Sequence, residues 1–231
     1  MAEQTGCFGN GSTSPDPHSP RSGRFTCVPL SEPDVEPAAR LYTEVFLADE
    51  PTTRRYAPDP AFFLHHAQFY VRSLVRKKLS FIARHPGSQD PAGFIFCIDL
   101  TEDPRDEGES MVVFLAHFRE VIGMLNELEE RYISRNEIVP GSVLHIFQIG
   151  VSRNGRGRGI AQTMIRRVLD QARERGFRQV IADCTNPASK RAFEQCGFSE
   201  AGFLPYDAFS MNGIRFFAGL DGGISLMVKD I

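Results

Sequence analysis

Three glycines alternate with two arginines in SRNGRGRGIAQ, residues 152–162, directly after a run of apolar and β-branched residues. Gly155, Gly157 and Gly159 free the backbone for close approach to a ligand, and Arg156 and Arg158 add positive charge at the same point. Ile160, Met164, Val168 and Leu169 then recur at helical spacing, so the loop feeds a helix N-terminus. Unpaired N–H groups and the helix dipole meet there and favour an anion; a phosphate or pyrophosphate is the partner that fits. A mononucleotide P-loop requires Lys followed by Ser or Thr after its last glycine, and neither follows here. The dinucleotide pattern GxGxxG is met by Gly157 and Gly159 but has Gln162 at its last position. Asp183, at the end of the next strand, keeps that reading open by spacing, although too little chain follows for a full nucleotide-binding sheet. A flexible turn with two solvated arginines is the plain structural alternative.

Two further groups could move protons. Asp49 and Glu50, two acids directly before Pro51, read from the residues alone as solvated carboxylates ahead of a turn. His145 lies in the apolar strand SVLHIFQIGV, on the same face as Phe147 and Ile149; it is a candidate base or a satisfied core histidine. The five cysteines (Cys7, Cys27, Cys97, Cys184 and Cys196) show no metal-like spacing and read as reduced thiols of a cytoplasmic protein. No metal is expected.

The elements that must position these groups follow from pattern. Residues 1–23 are rich in Gly, Ser and Pro and nearly free of large apolar groups, so a disordered tail is expected, with one domain over 24–231. FTCVPL reads as a strand. Ser31 caps a helix that ends near Leu47, and ADEP begins a loop. Asp59 and Pro60 start a second helix with Phe62, His66, Phe69, Tyr70, Ser73 and Leu74 on one face. LSFIARH and AGFIFCIDL form a hairpin, TEDPRDEGES a charged loop, and residues 111–134 one long amphipathic helix. The strand holding His145 is apolar on both faces and hence central. After the glycine loop come a helix ending at Gly176, the strand RQVIADCT, a short helix begun by Asn186 and Pro187, and two last strands. The fold class is α/β with a mixed sheet. A net charge of −3 gives no support for nucleic-acid or membrane binding, and neither a membrane span nor a secretory signal is expected.

VSRNGRGRGIAQTMI followed by NPASKRAFEQCGF resembles the GNAT superfamily of acyl-CoA-dependent N-acetyltransferases. Arg156, Gly159 and Ala161 match its pyrophosphate loop, and Asn186, Ser189, Phe193, Gly197 and Phe198 match its later signature. FLADEP, the inserted helix over 111–134 and the segment 206–229 are similar to arylalkylamine N-acetyltransferases of the insect type. The resemblance implies a GNAT fold with splayed fourth and fifth strands, flanking helices and an extra helix between strands three and four. It implies acetyl-CoA as cosubstrate and a small-molecule amine, an arylalkylamine among the candidates, attacking directly in a ternary complex. The implied coenzyme site comprises Ile149, Gly150, Val151, Arg156, Gly157, Arg158, Gly159, Ile160, Ala161, Asn186, Ser189 and Phe193. Glu50 matches the family's base in D-E-P, with His145 as alternative. Phe193 stands where many members place a tyrosine to protonate the leaving thiolate, leaving Ser189, water or nothing for that role. Phe46, Tyr56, Phe62, Phe63, Tyr206 and Phe209 are expected in or beside the pocket walls. The expected state is a monomer or homodimer. An inert acyl-CoA-binding module, and an enzyme acting on a peptide or antibiotic amine, remain alternatives.

Overall fold

The computed structural model describes residues 25–133 and 138–231; the tail expected over 1–23 lies outside them. The strands are β1 (Thr26–Pro29), β2 (Phe81–Arg84), β3 (Pro91–Asp99), β4 (Val143–Val151), β5 (Gln179–Cys184), β6 (Ser199–Pro205) and β7 (Gly223–Asp230). They form one sheet in the order β1-β2-β3-β4-β5-β7-β6. Every neighbouring pair is antiparallel except β4 and β5, which are parallel and sit near the middle of the sheet.

The helices are α1 (Val35–Asp49), α2 (Pro51–Tyr56), α3 (Pro60–Lys77), α4 (Glu109–His117), α5 (Arg119–Tyr132), α6 (Ile160–Glu174) and α7 (Pro187–Glu194). One apolar core packs α1, α3, α4 and α5 on one face of the sheet, and a second packs α6 and α7 on the other. In α6, Ile160, Met164, Ile165, Val168, Leu169 and Ala172 are buried, so its periodic stripe faces the second core. Burying each such large side chain contributes about 1.5–3 kcal/mol.

Four local expectations are corrected. First, α1 runs to Asp49 rather than Leu47, and PTTRRY forms the helix α2 where a loop was expected, because Glu50 and Pro51 start it. Second, in α3 Phe63 is buried while Phe69 is 46% exposed, so the buried stripe is rotated from the one expected. Third, the helix expected over 111–134 is broken at Phe118 (φ −104°, ψ 24°). Phe118 packs edge-on against Tyr56 and Phe114, both at 4.9 Å, so aromatic packing turns the chain where neither Gly nor Pro stands. Fourth, β4 carries a bulge: Ile146 pairs with Cys97 and Gln148 with Phe96, leaving Phe147 as the extra residue. The bulge reverses the alternation beyond it. His145 and Phe147 share the α1/α5 side, but Ile149 packs with the second core instead of joining them.

The pairing of β4 with β5 covers only Val143–Ile146 against Gln179–Ala182. Beyond Ile146 the two strands part, and the backbone of β4 loses its β5 partner. This is the expected splay.

Candidate active site

A cavity of about 150 Å³ opens at the splay. Its apolar walls include Phe46 from α1, Phe63 from α3, Phe114 from α4, Phe118 at the break, Leu125 from α5, and Phe147 at the β4 bulge. Polar groups enter from α1 and α2 (Asp49, Glu50, Thr52 and Thr53), from β4 (Gln148), and from β5 and α7 (Asp183, Thr185, Asn186 and Ser189).

Glu50 is buried at the junction of α1 and α2 and caps α2. Its Oε1 accepts from the Thr52 N–H at 3.0 Å, and Oε2 accepts from the Thr52 hydroxyl at 2.7 Å and the Thr53 N–H at 2.6 Å. Burial, and then the nearby charge of Glu50, push the phenols of Tyr42 and Tyr206 far above their usual range, so both stay protonated. The Tyr206 hydroxyl donates to the Thr185 carbonyl at 2.8 Å.

The glycine loop leads from the end of β4 into α6. Gly157 (φ +73°) and Gly159 (φ +75°) both occupy the left-handed region, and a side chain at either would meet open space. Gly159 caps α6, and the Thr163 N–H donates to its carbonyl at 3.0 Å. The amides of Ile160, Ala161 and Gln162 precede that first intrahelical bond and remain available to an anion. Gly150 serves a different need: a Cβ there would lie 2.4 Å from the Phe94 ring and 3.1 Å from Val45. Arg156 pairs with Asp49 and reaches the Val151 carbonyl at 3.4 Å, linking the loop to the end of α1. That hydrogen bond to Arg156 holds the Asp49 carboxyl below its ordinary value.

The Asn186 side chain caps α7, accepting from the Ala188 and Ser189 N–H groups at 3.0 Å each. The Ser189 hydroxyl donates to the Asn186 carbonyl at 2.9 Å. Phe193 is 1% exposed and packs edge-on against Phe198 at 5.0 Å, in the second core rather than on the cavity. Beneath Ser189, burial pushes the Cys184 thiol up to about 12.

His145 is 2% exposed and does not line the cavity; Asp183 stands between. A 2.8 Å hydrogen bond joins His145 Nε2 to Asp183 Oδ2. Glu129 approaches the same pair, and the three residues bring ligating atoms within 4.8 Å of one another.

The fold therefore gathers Glu50, Ile149, Asn186 and Ser189 on one cavity. Of the aromatic residues expected there, Phe46 and Phe63 line it. Tyr56 instead donates to Glu120 at 3.1 Å and accepts from the Val121 N–H at 2.9 Å. Phe62 packs on His66 at 4.5 Å, and Tyr206 and Phe209 pack around Phe217. Sequence reasoning missed Gln148, Asp183 and Thr185 as cavity residues. The bulge and the splay place them, and neither has a local signature.

The residues present fit a pantetheine pyrophosphate: free amides at the α6 N-terminus, left-handed glycines that leave the approach open, and two arginines. Residues 40–198 match the acetyltransferase (GNAT) family. The chain is 36% identical over 73 residues to glucosamine 6-phosphate N-acetyltransferase 1 of Oryza sativa subsp. japonica, a stretch that is 32% of this chain and 41% of that one. The chain thus spans about two fifths of the curated relatives it matches, 37% and 41%. Among solved structures, the C-terminal condensation domain of Ebony in complex with beta-alanyl-dopamine superposes with a TM-score of 0.75 at 17% identity, covering 90% of this chain and 99% of that one. The polyamine N-acetyltransferase of Drosophila melanogaster superposes with a TM-score of 0.71 at 18% identity, covering 90% of this chain and 100% of that one. These identities speak for the fold alone.

Proposed function

The chain belongs to the GNAT acetyltransferase family, and from that premise we propose that it moves the acetyl group of acetyl-CoA to the amine of a small molecule bound in the splay cavity. The observation that carries the reading is the convergence on that cavity of a buried, oriented carboxylate, Glu50, and a backbone edge freed by the parting of β4 and β5. The relatives and neighbours that act on amines support the same class.

Acetyl-CoA supplies an activated acyl thioester. Arg156 and the first amides of α6 hold its phosphates, with Arg158, Gly157, Gly159 and Ala161 shaping the loop. The freed β4 edge at Ile149 and Val151 provides N–H donors for the carbonyl oxygen, while Gly150 between them pairs with Phe94 of β3. Asn186 and Ser189 border the same space from α7. Glu50 takes the amine proton, directly or through water, because an ammonium ion has no lone pair with which to attack. The new N–C bond forms as the C–S bond breaks, and the sulfur leaves as thiolate or takes a proton from water or Ser189. Phe193 has no proton to give. The aromatic walls suit an arylalkylamine.

A release assay for free coenzyme A with a panel of primary amines tests the reading. Turnover with an amine is expected. Tight coenzyme A binding with no turnover of any amine would favour an inert binding module instead.

A further inference from the structure

We propose that Asp183 selects acceptors that carry a second hydrogen-bond donor besides the reacting amine, and that its unshared carboxylate oxygen receives that donor. The proposal rests on the reading above in taking the splay cavity as the acceptor site.

Asp183 lies on the last part of β5, where pairing with β4 has ended and pairing with Leu226 of β7 continues. Its side chain is 4% exposed and forms part of the cavity wall. Oδ2 is fixed by His145, which orients the carboxylate from behind. Oδ1 is buried and has no hydrogen-bond partner. Among the described residues, Arg84 Nε and Gln171 Oε1 are the other buried side-chain atoms without one, and neither residue lines the cavity.

A buried carboxylate oxygen without a donor is costly, so on a residue that forms part of the cavity wall it calls for a partner that a ligand pressed against that wall can bring. The cavity walls do not provide it: Phe114, Phe118 and Phe147 are apolar, and the Ser189 hydroxyl donates to the Asn186 carbonyl. The other cavity carboxylates are already engaged. Each oxygen of Glu50 has a donor from Thr52 or Thr53, and Asp49 is held by Arg156. A ligand hydroxyl or ammonium reaching Oδ1 would replace a missing bond with a charge-assisted one. An acceptor with a plain hydrocarbon end leaves the oxygen unmatched.

Two matched pairs of amines test this: phenethylamine against 4-hydroxyphenethylamine, and pentylamine against 1,5-diaminopentane. Each is titrated calorimetrically into the protein saturated with coenzyme A, and each is assayed for turnover with acetyl-CoA. In at least one pair the donor-bearing member should bind about tenfold or more tightly. The pair with the larger ratio tells a hydroxyl from an ammonium. Asp183→Ala should bring the ratio toward one. Asp183→Asn keeps the volume, serves where the alanine variant does not fold, and should lose any ammonium preference first. Ratios near one in the wild type, or unchanged in both variants, would overturn the proposal. So would Zn²⁺ binding that excludes both members of a pair and is abolished by Asp183→Ala, since the oxygen would then belong to a metal site. Binding ratios that persist while no amine is turned over would instead overturn the transfer reading alone.

Discussion

Glu50 and Thr52 are joined twice, by the Thr52 N–H to Oε1 at 3.0 Å and by the Thr52 hydroxyl to Oε2 at 2.7 Å. The carboxylate assigned to receive the substrate proton is therefore also the cap of α2. Chemistry and local stability are coupled at this one side chain.

Glu50→Gln should show both effects. The amide keeps the shape but turns an N–H toward one of the capping donors, so the loss of a cap contact costs about 0.5–2 kcal/mol and lowers Tm. Removal of the base should lower kcat/KM by about 10²–10⁴. Acetyl-CoA affinity should change little, because the proposed reaction places Glu50 on the acceptor side of the thioester. His145→Asn should lose less rate, since Asp183 stands between His145 and the cavity. Steady-state kinetics beside thermal melts check the ranking, and the opposite order would move the base into β4.

Arg156 should matter to ligand binding more than to folding. Its partner Asp49 is partly exposed, with 35% of its side-chain surface accessible, and exposed pairs stabilise little. Arg156→Ala should weaken acetyl-CoA binding about tenfold or more in a calorimetric titration. Asp49→Asn should tighten it slightly, because the phosphates would no longer compete with Asp49 for the guanidinium. The pH dependence has a definite sign. The folded carboxyl of Asp49 titrates below its usual 3.8, chiefly through the bond to Arg156, so its contribution is present above 3.8 and fades as pH falls through the depressed value. Any difference in melting temperature between wild type and Arg156→Ala should therefore vanish in strong acid.

The glycine loop, the capped starts of α3 and α7, and the β2–β3 hairpin were legible because each is written within a few neighbouring residues. Asp59 accepts from the Ala61 and Phe62 N–H groups at 2.9 Å each, as its position before Pro60 implies. The helix α2 was also written locally, since Glu50, Pro51, Thr52 and Thr53 give a cap, a proline at the first position and two donors. Reading them as a turn missed it. The rest depends on distant pairing. Nothing beside Phe147 marks it as a bulge; the offset arises from the register with Phe96 and Cys97. Alternation alone therefore put Ile149 on the wrong face. Asp183 and His145 are 38 residues apart and meet only once β4 and β5 are laid parallel.

Two glycines should fail in different ways. Gly159→Ala meets no neighbour but forces a side chain into a left-handed conformation, at a cost of about 1–2 kcal/mol. Its larger effect should be on acetyl-CoA affinity, and Gly159→Asp should be worse because it adds a negative charge at the proposed phosphate site. Gly150→Ala would press a methyl group against the Phe94 ring at 2.4 Å. That overpacking costs about 1–3 kcal/mol, so a lower Tm should precede any change in affinity. Melts with and without acetyl-CoA separate the two: the ligand-induced rise in Tm shrinks for the Gly159 variants and persists for Gly150→Ala.

In the proposed reaction, positions 193 and 189 are the two to test at the leaving sulfur. Installing a tyrosine at position 193 tests whether a hydroxyl there can serve as the proton donor. Phe193 is 1% exposed, against Phe198 and within the second core, so the added oxygen would be buried without a partner. Such a group costs about 1–3 kcal/mol, or roughly 2–4 °C in Tm per kcal/mol at this chain length. Phe193→Tyr should therefore melt earlier without a gain in kcat. Ser189 borders the cavity, and its hydroxyl already donates to the Asn186 carbonyl at 2.9 Å. If it relays a proton to sulfur, Ser189→Ala should lower kcat more than it alters the KM for acetyl-CoA. A coenzyme A thiolate is a tolerable leaving group near neutral pH, so the loss should be modest. A several-fold rise in kcat for Phe193→Tyr at unchanged Tm would place position 193 at the sulfur after all, and would make Ser189 a bystander.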